Sequence, residues 1–296
     1  MLNYMNEYEK WLHSGALTAD EVQELQSIAG DEKEIESRFY GPLEFGTAGL
    51  RGTMKVGLHQ MNVYVIRWAT QGFANVICAE GEDAKKRGVA ICMDCRHHSM
   101  EFARAAAEVC AANGIYWEDG AQRPPHHAAA IAAELEKIDI FTGVKRMDFD
   151  EAVKAGLIET MGDETDRKFM ANVMDMVNDY DSVAKVADTF QVVYTPFHGC
   201  GYKLVPEALT RLGIRHLHCV PEQMVIDGDF PTVVSPNPEN PEGFYLAIAL
   251  ADKVKADFIV GTDPDSDRVG IMVRNKEGKF QPVSGNQTGV LLSDYL

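Results

Sequence analysis

The stretch Asp257-Phe-Ile-Val-Gly-Thr-Asp-Pro-Asp-Ser-Asp-Arg268 decides the architecture. Residues 257–261 form a short apolar run that predicts a buried strand. The run breaks into an acidic loop at the strand's carboxyl end, where parallel sheets bind ligands. Asp263, Asp265 and Asp267 alternate through this loop. Three carboxylates so spaced repel one another unless a cation neutralises them, and all-oxygen donors point to Mg²⁺ or Ca²⁺. An EF-hand opens with the same D-x-D-x-D pattern, but Arg268 stands at its sixth position, where Gly is needed, and Arg274 at its twelfth, where Glu is needed. An aspartyl nucleophile of the phosphatase type fits the D-x-D spacing too, and so does a solvated acidic turn.

Outward from this loop, strands and helices alternate. Phe190–Tyr194 predicts a strand, Tyr202–Leu212 a helix, Arg215–Val220 a second strand and Pro241–Val254 a helix. A hairpin follows, with strands near 269–273 and 279–283. Such alternation argues for a parallel sheet covered on both faces. Further upstream, Gly88–Asp94 predicts a strand, and Ser99 opens an Ala-rich helix ended by Asn113-Gly114, which is half of a βαβ unit. Only Ile115-Tyr116-Trp117 is available for the other half before a Glu-Asp-Gly turn and Pro124-Pro125, so this region is one strand short. Residues 128–189 read as mainly helical with a polar connector at 160–166. Residues 1–38 read as helical and polar, with Thr18 and Glu21 as a capping box. Residues 40–53 read as a loop or bent strand, and 62–79 as an amphipathic helix.

A length of 296 residues suggests about two domains, and 46% apolar residues supply a sizeable core. The balance of 28 basic against 45 acidic residues gives −17, a surface that repels phosphate backbones and argues against nucleic acid as partner. One local arginine cluster is still enough for a small phosphorylated substrate. No apolar run approaches 18 residues, so no membrane span is expected. Glu7, Glu9 and Lys10 occupy the place of a signal peptide's apolar core. The six cysteines (78, 92, 95, 110, 200 and 219) are scattered through apolar segments. Together these features predict reduced, buried thiols in a cytoplasmic protein.

The remaining motifs are less specific. Phe45-Gly-Thr-Ala-Gly-Leu-Arg-Gly52 is a Gly-rich loop whose backbone N–H groups and Arg51 suit a phosphate, or a plain turn with a surface arginine. Cys92-x-x-Cys95 before His97-His98 has zinc-like spacing, but no second cysteine pair completes four ligands. Thr195-Pro-Phe-His-Gly199 is a strand-to-helix turn in which His198 is either catalytic or structural. Ser235-Pro-Asn-Pro-Glu-Asn-Pro241 reads as a rigid connector.

In combination these motifs resemble the α-D-phosphohexomutases, most closely the phosphoglucomutase/phosphomannomutase branch. The matching pieces are FGTAGLRG at 45–52, MNVYVIRWATQG at 61–72, DCRHHS at 94–99, TPFHG at 195–199, DGDFPTVVSPNPENPEG at 227–243 and GTDPDSDRVG at 261–270. The resemblance implies an α/β fold: two mixed, mainly parallel α/β/α sandwich domains of the phosphohexomutase type, the first incomplete. It implies intramolecular phosphoryl transfer between the 1- and 6-positions of a hexose phosphate, by way of a phosphoserine and a hexose bisphosphate. Asp263, Asp265 and Asp267 would hold Mg²⁺. Arg51 and Arg268 would act on the phosphoryl groups, and Thr47, Arg51, Asp267 and Arg268 would line the substrate.

The departures from the pattern are equally informative. The family's T-A-S-H-N-P serine loop has no counterpart, since Ser-His-Asn occurs nowhere in the chain. The expected organisation is a first domain over 1–165 with a helical N-terminus and an internal deletion near 115/116, where the missing strand was noted. A second domain over 166–283 carries the metal loop, and 284–296 resembles the start of a truncated third. Ser99 and Ser235 match the nucleophile only in general pattern. Two readings follow: a mutase with a substitute nucleophile or a separately encoded second half, or a non-catalytic Mg²⁺- and phosphosugar-binding fragment. In either, an open cleft side offers a surface for self-association.

Overall fold

The computed structural model describes residues 3–46, 49–86, 88–114 and 125–295. Thr47 and the expected deletion point at 115/116 lie outside the described residues. The chain divides into two compact units, Met1–Cys92 with Met100–Glu159, and Met93–Ser99 with Thr160–Leu296.

The first unit opens with three short helices, α1 (Tyr4–Leu12), α2 (Ala19–Ser27) and α3 (Glu32–Phe39). Each begins where a side chain accepts orphan backbone N–H groups: Asn3, Thr18 and Asp31. Thr18 and Glu21 form the expected capping box. Within the stretch expected as a loop or bent strand over 40–53, two short strands, β1 (Phe45–Gly46) and β2 (Gly49–Leu50), pair antiparallel. The long helix α4 (Val63–Ala79), capped by Asn62, then leads to α5 (Glu82–Lys86), α6 (Ser99–Asn113), α7 (Pro125–Leu135) and α8 (Phe149–Lys154).

The core of this unit is aromatic. Trp11 is fully buried, with Phe39, Tyr64 and Phe141 edge-on to it at 5.8, 5.8 and 5.1 Å between ring centroids. Its indole N–H donates to Glu7 Oε1, and that of Trp68 donates to the Ile138 carbonyl.

The strand expected at 88–94 does not form. Among the described residues no neighbouring strand pairs with it, and an unpaired strand leaves its backbone groups to water. Ile91, Cys92 and Met93 are accordingly exposed, which corrects the expectation that every cysteine is buried. All six cysteines are free thiols.

The second unit holds the sheet. Helices α9 (Asp163–Asp175) and α10 (Tyr180–Val186) precede β3 (Gln191–Thr195), α11 (Gly201–Leu212), β4 (His216–Cys219), α12 (Tyr245–Val254), β5 (Phe258–Thr262), β6 (Val269–Arg274), β7 (Phe280–Val283) and α13 (Gly285–Tyr295). Since α9 starts at Asp163, the connector expected at 160–166 is shorter than the sequence suggests. The strand order is β4-β3-β5-β6-β7, parallel across β4, β3 and β5 and antiparallel from β5 to β7. From β3 the chain first steps outward to β4, then returns past β3 to β5. The carboxyl ends of β3 and β5, in register at Thr195 and Gly261, therefore flank a topological switch point. The core around them comprises Val193, Phe197, Val220, Phe244, Ile259 and Met272.

This packing sets two expectations. Phe244 is 1% exposed and edge-on to Phe197 at 5.0 Å, so Phe244→Ala will cost about 3–5 kcal/mol, read as a lowered urea midpoint by circular dichroism. The second concerns acid. The backbone N–H of Thr142, aided by Lys10 and by the backbone N–H of Phe141, holds the Asp139 carboxyl well below its ordinary 3.8. A carboxylate depressed in the folded state stabilises fully above its ordinary value and loses that contribution as pH falls through the folded one. Urea midpoints will drop as pH falls below 3.8, and Asp139→Asn will make that drop shallower.

Candidate metal centre

Asp263 follows directly on β5 and is fully buried, so its charge must be satisfied locally. It accepts the Arg268 backbone N–H at 3.0 Å on Oδ1 and the Arg268 Nε at 2.9 Å on Oδ2. The Asp263 N–H donates to the Arg268 carbonyl at 3.3 Å, and its carbonyl accepts from Ser266 N–H at 3.1 Å. The loop is thus closed on itself, with Ser266 in the left-handed region at φ 61°. This closure swings Asp265 and Asp267 outward, where both are exposed, while one oxygen from each of the three carboxylates lies within 4.8 Å of the others.

Two arginines balance the cluster. Arg268 Nε lies 3.6 Å from Asp267 Oδ1. Arg96 Nη1 bridges Asp94 Oδ2 at 2.9 Å and Asp265 Oδ2 at 3.3 Å. Burial pushes the Asp263 carboxyl up, as do the bond and charge of Asp265, against the pull of the Arg268 backbone N–H and guanidinium. At Asp265 burial works upward but is outweighed by the bond to Asp263 and by Arg96, so its carboxyl is pulled down. Crowded carboxylates that shift one another in this way suit a hard divalent cation with oxygen ligands.

The turn after β3 supports the loop from below. The Cys200 N–H donates to the Pro264 carbonyl at 2.9 Å. Only glycine fits at 199, since a Cβ there would lie 2.5 Å from Pro264 Cα and 2.8 Å from the Asp263 carbonyl oxygen. Phe197 and His198 carry positive φ values of 46° and 65°, a strained path that turns the chain toward the loop. His198 is structural. Its Nδ1 faces the Val225 carbonyl at 2.8 Å and its Nε2 the Thr232 hydroxyl at 2.9 Å, and the ring is buried. Gln223, fully buried, completes the network by accepting from Thr195 Oγ1 at 2.5 Å and donating to Thr232 Oγ1 at 3.1 Å.

The structure therefore brings Asp263, Asp265, Asp267 and Arg268 together on one loop. Arg51 belongs to the first unit, where it is exposed after β2. The CxxC reading for zinc gains no support: among the described residues the one cluster that could hold a metal is the aspartate triad. Sequence reasoning missed Arg96, Gln223 and Thr232. Nothing in the local pattern marks Gln223 or Thr232, whereas Arg96 had a signal in Asp94-Cys-Arg96, an acid–base pair directly after a predicted strand end.

Against known families, residues 42–117 match the phosphoglucomutase/phosphomannomutase alpha/beta/alpha domain I and residues 168–278 match domain II. Among curated relatives, a phosphoglucomutase of Staphylococcus saprophyticus is 29% identical over 88% of this chain and 54% of its own length. A phosphopentomutase of Pongo abelii is 29% identical over 98% and 55%, and a phosphoribomutase of Saccharomyces cerevisiae 28% over 93% and 53%. The chain spans about half the length of these relatives. The Pongo abelii alignment covers 342 residues, more than this chain contains, so that relative carries residues with no counterpart here. A solved phosphomannomutase-type structure from Thermus thermophilus superposes with a TM-score of 0.66 at 17% identity, over 86% of this chain and 61% of that one. The chain belongs to the phosphoglucomutase/phosphomannomutase family, and its fold is the α/β/α class expected from the sequence. Among the described residues no helix is long and apolar enough to cross a membrane.

Because Gly199 sets the height of the Pro264 backbone, Gly199→Ala will displace the acidic loop. Mg²⁺ affinity measured by calorimetry will fall about tenfold, the usual size of an effect on metal support, with the far-ultraviolet spectrum unchanged.

Proposed function

We propose that this chain carries the metal-binding half of a sugar-phosphate mutase centre, serving phosphoryl transfer between the 1- and 6-positions of a hexose phosphate. The observation that supports this reading is the convergence of Asp263, Asp265 and Asp267 beyond the switch point of the sheet. In this reading the three carboxylates hold Mg²⁺, which supplies charge neutralisation for a phosphoryl group. Phosphoryl transfer needs positioning and electrostatic stabilisation more than covalent work by the protein. Arg268, tied to Asp263 yet about half exposed at its side chain, is suited to a phosphate oxygen. Arg51 and Thr47, on the Gly-rich loop of the first unit, are read as phosphosugar-binding residues in their own right, and Asp267 as one beside the metal. The domains are read as 1–165, 166–283 and the opening of a third at 284–296.

The absence of Ser-His-Asn favours a second reading, binding without turnover. Both serines that resemble the nucleophile in pattern accept local hydrogen bonds. The Ser99 hydroxyl accepts from the Asp94 N–H at 3.0 Å, and the Ser235 hydroxyl accepts from Asn240 Nδ2 at 2.9 Å. Loss of a catalytic nucleophile costs on the order of 10⁶-fold in rate.

A coupled mutase assay on the whole chain, with glucose 1-phosphate, Mg²⁺ and the bisphosphate activator, separates the readings when paired with calorimetric Mg²⁺ titration. Both readings require that Asp263→Asn abolish Mg²⁺ binding. Turnover that disappears in Asp263→Asn supports the mutase reading. Mg²⁺ binding without turnover supports the binding reading. Unchanged Mg²⁺ affinity in the variant contradicts both.

A further inference from the structure

Arg96 reaches the acidic loop from a distant part of the sequence. It lies on Met93–Ser99, a segment that clusters with the second unit. The segment is closed on itself: the Asp94 N–H donates to Ser99 Oγ at 3.0 Å, and the Ser99 N–H donates to the Arg96 carbonyl at 3.1 Å. It is also seated on residues 228–229. His97 Nε2 meets Asp229 Oδ1 at 2.8 Å, and a Cβ on Gly228 would lie 2.7 Å from the Cys95 carbonyl oxygen. The base of the Arg96 side chain is therefore fixed, while its guanidinium is shared between two carboxylates.

The two partners are unequal. The Asp94 side chain is 12% exposed and gives both oxygens to Arg96: Oδ1 accepts the Arg96 backbone N–H at 2.9 Å, and Oδ2 lies 2.9 Å from Nη1. The Asp265 side chain is 39% exposed and meets the same Nη1 at 3.3 Å, long for a charge-assisted hydrogen bond. Asp94 is thus the anchor, and the contact to Asp265 can break without unseating the arginine. Arg268 differs, because its backbone N–H and Nε both serve the fully buried Asp263. A divalent cation on Asp265 and a guanidinium on the same carboxylate are like charges sharing one counter-charge. The weaker hold yields.

We infer that Arg96 is a tethered internal competitor of the cation. It neutralises Asp265 while no cation is bound and retreats onto Asp94 when one binds, so it raises the cation concentration at which the site fills. The inference rests on the metal-binding reading of the acidic loop. Its sign separates it from a supporting role: removing a residue that props up Asp265 weakens cation binding, whereas removing a competitor strengthens it.

The test is calorimetric titration of the whole chain with Mg²⁺, in wild type, Arg96→Gln and Arg211→Gln. Arg96→Gln will bind Mg²⁺ about tenfold more tightly. Arg211, paired with Glu207, lies toward the end of α11 opposite Gly201, the residue at which a Cβ would meet Ser266 of the acidic loop. Arg211→Gln removes the same charge and will stay within about twofold of wild type, because charges so far apart are screened. In wild type, where no variant is needed, the nuclear magnetic resonance signal of the Arg96 side-chain Nε–H will shift as Mg²⁺ is added. Three results overturn the competitor and leave the cation site standing: equal or weaker affinity in Arg96→Gln, an equal gain in Arg211→Gln, or an Arg96 signal unmoved at saturating Mg²⁺. Mg²⁺ binding by neither wild type nor Arg96→Gln overturns the metal-binding reading and the competitor with it.

Discussion

The arrangement of the second unit depends on the buried Asp263 carboxylate and its capture by Arg268. A charge with no exposure at the end of a central strand is tolerable only if donors meet it, and the backbone N–H and Nε of Arg268 do so at 3.0 and 2.9 Å. That closure fixes the loop from Asp263 to Arg268. It determines where Asp265 and Asp267 emerge, and it places Pro264 over Gly199, so that the turn after β3 and the loop after β5 behave as one structural block. The buried network of Thr195, His198, Gln223 and Thr232 then stiffens that block from beneath.

The chain's overall charge of −17 makes the local distribution of arginine more telling than the total. Arg96 and Arg268 stand against four aspartates at the loop, enough to hold the carboxylates together but not to neutralise them. The residual negative charge suits a divalent cation, while the acidic surface at large discourages polyanions. In the first unit the aromatic cluster around Trp11 and the packing of α4 on α7 supply the core, with no parallel sheet among the described residues.

Much of the second unit was legible because its strands are short apolar runs bounded by Gly, Pro or Asp. The expected 190–194, 215–220 and 257–261 are realised as Gln191–Thr195, His216–Cys219 and Phe258–Thr262. The run at 88–94 has the same composition and forms no strand, because composition reports burial preference while a strand also needs a neighbour to bond. Its exposed Ile91, Cys92 and Met93 are the consequence. The aspartates of the site were legible from their spacing on one short loop. The Arg96 contact was not, since it joins residues 169 positions apart, and the role of His198 was settled by residues 225 and 232, far outside its own motif.

The central claim is that the loop at 263–267 is a built cation site. A crystal of the intact chain soaked in Mn²⁺ and measured at the manganese absorption edge tests it directly. The account predicts one dominant anomalous peak within bonding distance of the Asp263, Asp265 and Asp267 carboxylates, with Arg268 retained on Asp263. A map in which the loop keeps its geometry and no manganese binds there would contradict it.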